Sequence, residues 1–267
     1  MAFGPNIGPR IGPRIGSRIG LVGDTAAVDP LAGVTQDPTN LKRYPATDAE
    51  WSIVMTVAGL ATGNPANVWT LQGAANAADS GTPGGCTLTN TFGSPQSPVT
   101  GASRLGYTNA DGGTSKKLLG TTGAPNPGTT STMLLTYIDF GVAPGGTRDL
   151  MGVQTGAVIN YLQTTGKLRI VAGAATDSSA SYNGTQHWIA MRVNITASTI
   201  ALLTGLEALA GTYVLPNSGS AIWFGGHTGL CSAAVYAYGA EFRGAAAELS
   251  NAQVKTLLQT LGETVVW

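Results

Sequence analysis

The chain has 267 residues, of which 10% are charged, and 14 basic and 14 acidic side chains balance to a formal net charge of zero. Charge is this sparse against about 25% in an average soluble domain, while 43% of residues are apolar and 38 are glycine. Together these exclude a disordered chain, offer no basic footprint for nucleic acid, and suit β-sheets whose faces are mostly covered. No run of about 18 apolar residues occurs, so no transmembrane helix and no membrane partner are expected.

Residues 5–20 read PNIGPRIGPRIGSRIG, a four-residue unit repeated with one Ser-for-Pro change. Pro9 and Pro13 remove helix donors. Glycine recurs every fourth residue, at Gly8, Gly12, Gly16 and Gly20, whereas collagen needs it every third. The segment also lacks the apolar stretch of a signal peptide. What remains is an extended, polyproline-like arm. Ile7, Ile11, Ile15 and Ile19 line one edge of it, and Arg10, Arg14 and Arg18 mark another. An arm of this kind cannot bury its isoleucines against itself. It is read as lying along neighbouring subunits, with its arginines meeting acidic grooves or carbonyls there; folding back onto its own domain is the alternative. Residues 21–45 follow as a linker with Asp-Pro turns at 29–30 and 37–38. The expected division is therefore an arm and linker at 1–45 and a single domain at 46–267.

Within the domain the periodicity predicts strands in close succession. WSIVMTVAGL (51–60) and NVWTLQG (67–73) come first, followed by a Gly/Ser/Thr/Pro region around a short strand at CTLTN. Denser candidates follow at 131–141, 148–154 and 157–163 and, after a turn at Thr165-Gly166, at 167–173. Others lie at 187–196, 198–205, 211–216, 221–227 and 233–244. Many short strands separated by Gly, Asn and Ser, without intervening helical patterns, indicate an antiparallel sandwich or barrel and not a βαβ fold. One helix is expected near the C-terminus. Ser250 is its N-cap and Gln253 completes a capping box, with Leu249 and Val254 as a hydrophobic staple. Val254, Leu257, Leu258 and Leu261 share one face, and Gly262 ends the helix.

Catalytic motifs are sparse. The five glutamates are at 50, 207, 241, 248 and 263, and none has an aspartate two residues on, so the carboxylate pairing of glycosidases is not seen. Glu241 reads as a surface partner of Arg243. His187 and His227 read as packing or turn-bonding residues. No nucleophile elbow, phosphate loop, CxxC or HExxH is present. The expectation is a chain that is not an enzyme, with no catalytic residue and no cofactor. Calcium is considered on a single loop acid, Asp111. Cys86 and Cys231 lack metal-ligand spacing; two buried thiols and one disulfide both stay open. Trp69, Trp188 and Trp223, with Tyr236 and Tyr238, are the candidates for stacking on sugar rings, against a default of core packing.

The stretch from 131 to 262 resembles the concanavalin A-like, laminin-G-like jelly roll. The residues that carry the likeness are Tyr182, Gly184, His187 and Trp188, the run Trp223 to Gly226, Ala240 to Arg243, and Leu249 to Val254. The resemblance implies an all-β jelly-roll sandwich with one short C-terminal helix and says almost nothing about activity. With the repeat and the low charge, it suggests a structural virion protein of a tailed bacteriophage, a head decoration or tail-associated component. Such a protein would sit in the virion as a homo-oligomer beside partners such as a major capsid protein. The alternative is a carbohydrate-binding, lectin-like module for host-surface attachment.

Overall fold

The computed structural model describes residues 28–71 except 39 and 62, then 85–90, 99–100, 105–106, and 118–267 except 127, 143–144, 154–155, 163, 215–219 and 227–233. The arm residues Ile7, Arg10, Ile11, Arg14, Ile15, Arg18 and Ile19 lie outside the described residues, as do Asp111, His227 and Cys231.

In chain order the elements begin with helix α1 (Asp48–Val57) and strands β1 (Asn67–Trp69), β2 (Thr89–Asn90), β3 (Val99–Thr100), β4 (Leu105–Gly106), β5 (Leu118–Gly120) and β6 (Thr132–Asp139). Next come β7 (Arg148–Val153), β8 (Ala157–Tyr161), β9 (Leu168–Ala172) and β10 (Ala174–Asp177), then β11 (Gln186–Asn194), β12 (Thr199–Leu203) and β13 (Ala208–Thr212). The chain ends with β14 (Ile222–Phe224), β15 (Val235–Arg243), a 3₁₀ turn at Gly244–Ala247 and helix α2 (Asn251–Thr260). Two antiparallel sheets form a sandwich, ordered β1-β15-β6-β11-β12-β13 and β10-β9-β8-β7-β14-β5-β2, with β3 and β4 as a separate ladder. This is the all-β antiparallel sandwich that the strand spacing predicts.

The alternation of side chains explains the layering. Along β6, Leu134 and Ile138 join the core between the sheets. Met133, Leu135 and Tyr137 point the opposite way, into a second core beneath the helices. All eight residues of β6 are buried. The centre of the six-stranded sheet is thus covered on both faces, by the other sheet on one side and by α1, α2 and residues 31–60 on the other, while its edge strand β13 stays half-buried to exposed. Tyr44 stacks on Trp188 with ring centroids 5.5 Å apart, and Trp188 meets Tyr238 edge-on at 5.2 Å.

Of the segment 51–60, expected as a strand, residues 51–57 belong to helix α1 instead. Thr47 and Glu50 form a capping box around its N-terminus. The Glu50 carboxylate accepts from the backbone of Ala46 and Thr47. Trp51, Val54 and Met55 bury one helical face, which reads equally well as alternation when the cap is overlooked. Helix α2 follows expectation. Ser250 and Gln253 complete the capping box, Leu249, Val254, Leu257, Leu258 and Leu261 are buried, and Gly262 follows at φ 91°.

Trp51 has no exposure and donates from Nε1 to the Tyr238 hydroxyl at 3.1 Å. Its ring meets Phe242 edge-on at 5.2 Å. Trp51→Ala is therefore expected to lower the unfolding free energy by about 3–5 kcal/mol, read from the urea midpoint at unchanged slope. An exposed change on the same helix, Ser52→Ala, should leave the midpoint within about 0.5 kcal/mol of wild type.

Candidate functional site, the outward face of the seven-stranded sheet

Among the described residues, the central strands of the six-stranded sheet are covered on both faces, whereas the outward face of β8, β9 and β10 carries half-buried and exposed side chains. Ala157, Ile159 and Tyr161 of β8 and Leu168, Ile170 and Ala172 of β9 point into the core, so their neighbours point out. The ladder register then sets outward residues side by side. Asp149 pairs with Asn160, Asn160 with Arg169, and Arg169 with Asp177. One polar row crosses four strands. Asn160 donates to the Asp149 carboxylate at 2.7 Å. Arg169 grips Asp177 with two bonds, at 2.5 and 2.9 Å.

The next row along the strands is apolar. Trp223 pairs with Gly152, Gly152 with Val158, Val158 with Val171, and Val171 with Ala175. The Trp223 ring lies across Gly152, where any β-carbon would overlap it. This close approach is what requires glycine there. Beside the polar row opens a cavity of about 320 Å³, lined by Thr147, Leu162, Thr165, Lys167, Arg169 and Asp177. Its volume sits at the lower end of the roughly 300–1,000 Å³ typical of ligand sites. The hydrogen bond from Arg169 is the main cause that lowers the Asp177 carboxyl below its usual range, with the nearby positive charges of Arg169 and Lys167 adding to it. Both members of the pair stay charged at neutral pH. Charged groups, an amide and hydroxyls beside aliphatic rows can meet the hydroxyls and the C–H faces of a sugar.

The residues nominated from sequence lie elsewhere. Trp69, Trp188 and Trp223 all have zero exposure, so none presents a free ring face for stacking. Trp69 packs between the sheets against Phe224 and donates to the Cys86 carbonyl at 2.7 Å. Trp188 belongs to the helix-side core, and Trp223 is buried on the outward face against Gly152. Tyr236 and Tyr238 are also buried. Glu241, expected at the surface, has no exposure; it accepts from Asn67 at 2.5 Å and from Arg243. Pairing with Arg243 holds, but β1 covers the carboxylate by adding to β15 at Asn67.

His187 joins a second charged cluster. Its Nδ1 bonds Glu263 Oε1 at 2.8 Å, Lys42 Nζ donates to Glu263 Oε2 at 2.8 Å, and the Trp188 amide donates to Oε2 at 3.0 Å. These contacts join the linker, β11 and the C-terminal segment. Burial pushes the Glu263 carboxyl up, but the bonds and charges of His187 and Lys42 outweigh it, and the net shift is downward.

Neither a protein-family model nor a curated protein matches the sequence. Solved structures do match the fold. Trypanosoma rangeli sialidase in complex with sialic acid superposes at a TM-score of 0.55 with 12% identity over 79% of this chain and 36% of that chain. A mutant of the same sialidase displaying trans-sialidase activity gives 0.54 and 12% over 89% of this chain and 37% of that one. The chain thus spans about a third of the length of these sialidases. At this identity the likeness establishes the sandwich fold. The expectation that the chain is not an enzyme is corrected to this extent: the architecture is one that sialidases share, so the fold is enzyme-related.

The lowered Glu263 carboxyl makes stability depend on pH with a definite sign. Its bonds contribute fully above the ordinary value of 4.5 and are lost as the pH falls through the lowered folded-state value. Glu263→Gln should be less stable than wild type at pH 7, and the gap should close as thermal unfolding is followed from pH 5 downward.

Proposed function

We propose that the chain is a carbohydrate-binding sandwich module, suited to attachment at a host surface, and that the outward face of β7–β10 is its glycan site. The observation that carries the reading is the pairing of the Asp149–Asn160–Arg169–Asp177 row with the apolar Val158–Val171 row beside an open groove. Carboxylate, amide and guanidinium groups on rigid strands provide fixed acceptors and donors for hydroxyls, and half-buried valines provide an apolar floor. The fold shared with a sialidase bound to sialic acid supports the same class of ligand.

The sequence repeat at 5–20 favours a second part to this reading. Its four-residue period and its isoleucines at 7, 11, 15 and 19, which so short a repeat cannot bury against itself, support anchoring to neighbouring subunits, with the module carried on a homo-oligomer or a virion. Deleting residues 1–20 should leave a folded domain whose native mass falls from that of an assembly to that of a single chain; an unchanged mass counts against the anchoring role.

For the glycan reading, a broad array spanning neutral and acidic glycans should give specific binding. The double change Arg169→Ala with Asp177→Ala removes an exposed pair that contributes little to folding. It should weaken binding about tenfold or more, a loss of roughly 1.4 kcal/mol, with the thermal midpoint nearly unchanged. Silence across the array, or wild-type affinity in the double variant, would sink the reading.

A further inference from the structure

We propose that this groove selects saccharides that carry an oxyanion, a carboxylate or a sulfate, and that Lys167 is the residue that selects them. The inference rests on the glycan reading of the outward face and adds the chemical class of the ligand.

The argument starts from where the positive charges go. Lys42 is held by Glu263, Arg43 by Asp29, Arg169 by Asp177 and Arg243 by Glu241. Arg192 donates to the Leu249 carbonyl and to Asn251, Arg148 to the Thr147 carbonyl, and Lys255 to the carbonyl of Trp267. Among the described residues, Lys167 is the one lysine or arginine whose side chain donates no hydrogen bond, and it lines the groove. The remaining charges at the groove cancel, because Arg169 and Asp177 grip each other through two bonds. The residues that line the groove therefore carry one positive charge in excess. A neutral sugar offers that ammonium only hydroxyl oxygens as acceptors. An oxyanion on the sugar ring supplies the acceptor that the chain withholds, in a charge-assisted bond about twice as strong as a neutral one.

The backbone under Lys167 is held in place, so little order must be gained on binding. Thr164 and Gly166 adopt φ of 58° and 62° in the turn joining β8 to β9. The Leu162 amide donates to the Lys167 carbonyl at 2.8 Å, and the Tyr182 amide donates to the Gly166 carbonyl at 2.7 Å. The Ser181 hydroxyl donates to the Thr165 carbonyl at 2.9 Å. A β-carbon at Gly166 would lie 2.8 Å from atoms of Ser181 and Asn183, so the turn is seated on the following loop.

The test titrates the full chain by calorimetry with four probes: lactose, 3′-sialyllactose, 3′-sulfated lactose and sodium sulfate. Both anionic lactoses should bind at least about tenfold more tightly than lactose, with the advantage shrinking as salt rises. Sulfate alone should bind far more weakly than either. Lys167→Ala should erase the advantage without moving the thermal midpoint, while Lys167→Arg should retain it. Equal affinity for lactose and its anionic forms would overturn the anion inference and leave the glycan reading standing. No binding of any lactose would overturn the inference, and silence on the array as well would overturn both. Sulfate binding as tightly as sulfated lactose would show an anion site without a sugar site. An undiminished preference in Lys167→Ala would remove that residue from the role.

Discussion

The structure depends on one constraint: the central strands of the six-stranded sheet, β6 and β15 above all, are buried on both faces. Strand β6 exposes no residue on either side, and its alternation sends Leu134 and Ile138 to one core and Met133, Leu135 and Tyr137 to another. A sheet of this kind needs a layer on each face. The second sheet supplies one. The other consists of α1, α2 and the segment from Leu31 to Leu60, which would have little reason to be ordered without the sheet beneath them. The bulge between Tyr236 and Tyr238 serves the same arrangement. It places Tyr236 in the inter-sheet core and Tyr238 among the aromatics under α1, where Tyr238 donates to the Pro45 carbonyl.

This double burial determines where function can reside. Among the described residues, the outward side of β7 to β10 is left for ligand contact, and its chemistry follows from ladder register. No single strand holds a recognisable motif there. The row from Asp149 to Asp177 draws one residue from each of four strands, and hydrogen bonding between strands aligns them. Slipping β8 or β9 by a residue would turn its polar side chain into the core and an isoleucine or leucine out to water. The register that protects the core therefore also assembles the site.

A second consequence concerns the chain ends. Glu263 collects Lys42 from the linker and His187 from β11, and the Arg43 amide donates to the Leu261 carbonyl at 3.0 Å. Trp267 completes the seam by donating from Nε1 to the Thr204 carbonyl at 2.8 Å. Residues far apart in sequence thus close the helix-side layer through a few buried charges. Such contacts hold only while all partners are present, because a buried carboxylate without its cation is costly.

Much of the fold was legible from local pattern. Strand alternation across 131–244 gave the antiparallel sandwich, and Ser250, Gln253 and the staple gave α2, because caps and periodicity act over a few residues. The same rule applied at Thr47 and Glu50 identifies α1. Without it, WSIVMTVAGL satisfies a period of two nearly as well as 3.6. The site was half legible. The turn at Thr165-Gly166 fixes a hairpin in which Asn160 faces Arg169, but the partners Asp149 and Asp177 enter only through strands on either side. The tryptophans show the reverse case. Their chemistry suits sugars, yet Trp69, Trp188 and Trp223 occupy three different layers with no exposure. Sequence states what a side chain can do and which neighbours it has along the chain. Only the packing of sheet on sheet and helix on sheet decided which faces meet water, because burial is set by contacts between segments that local pattern does not connect.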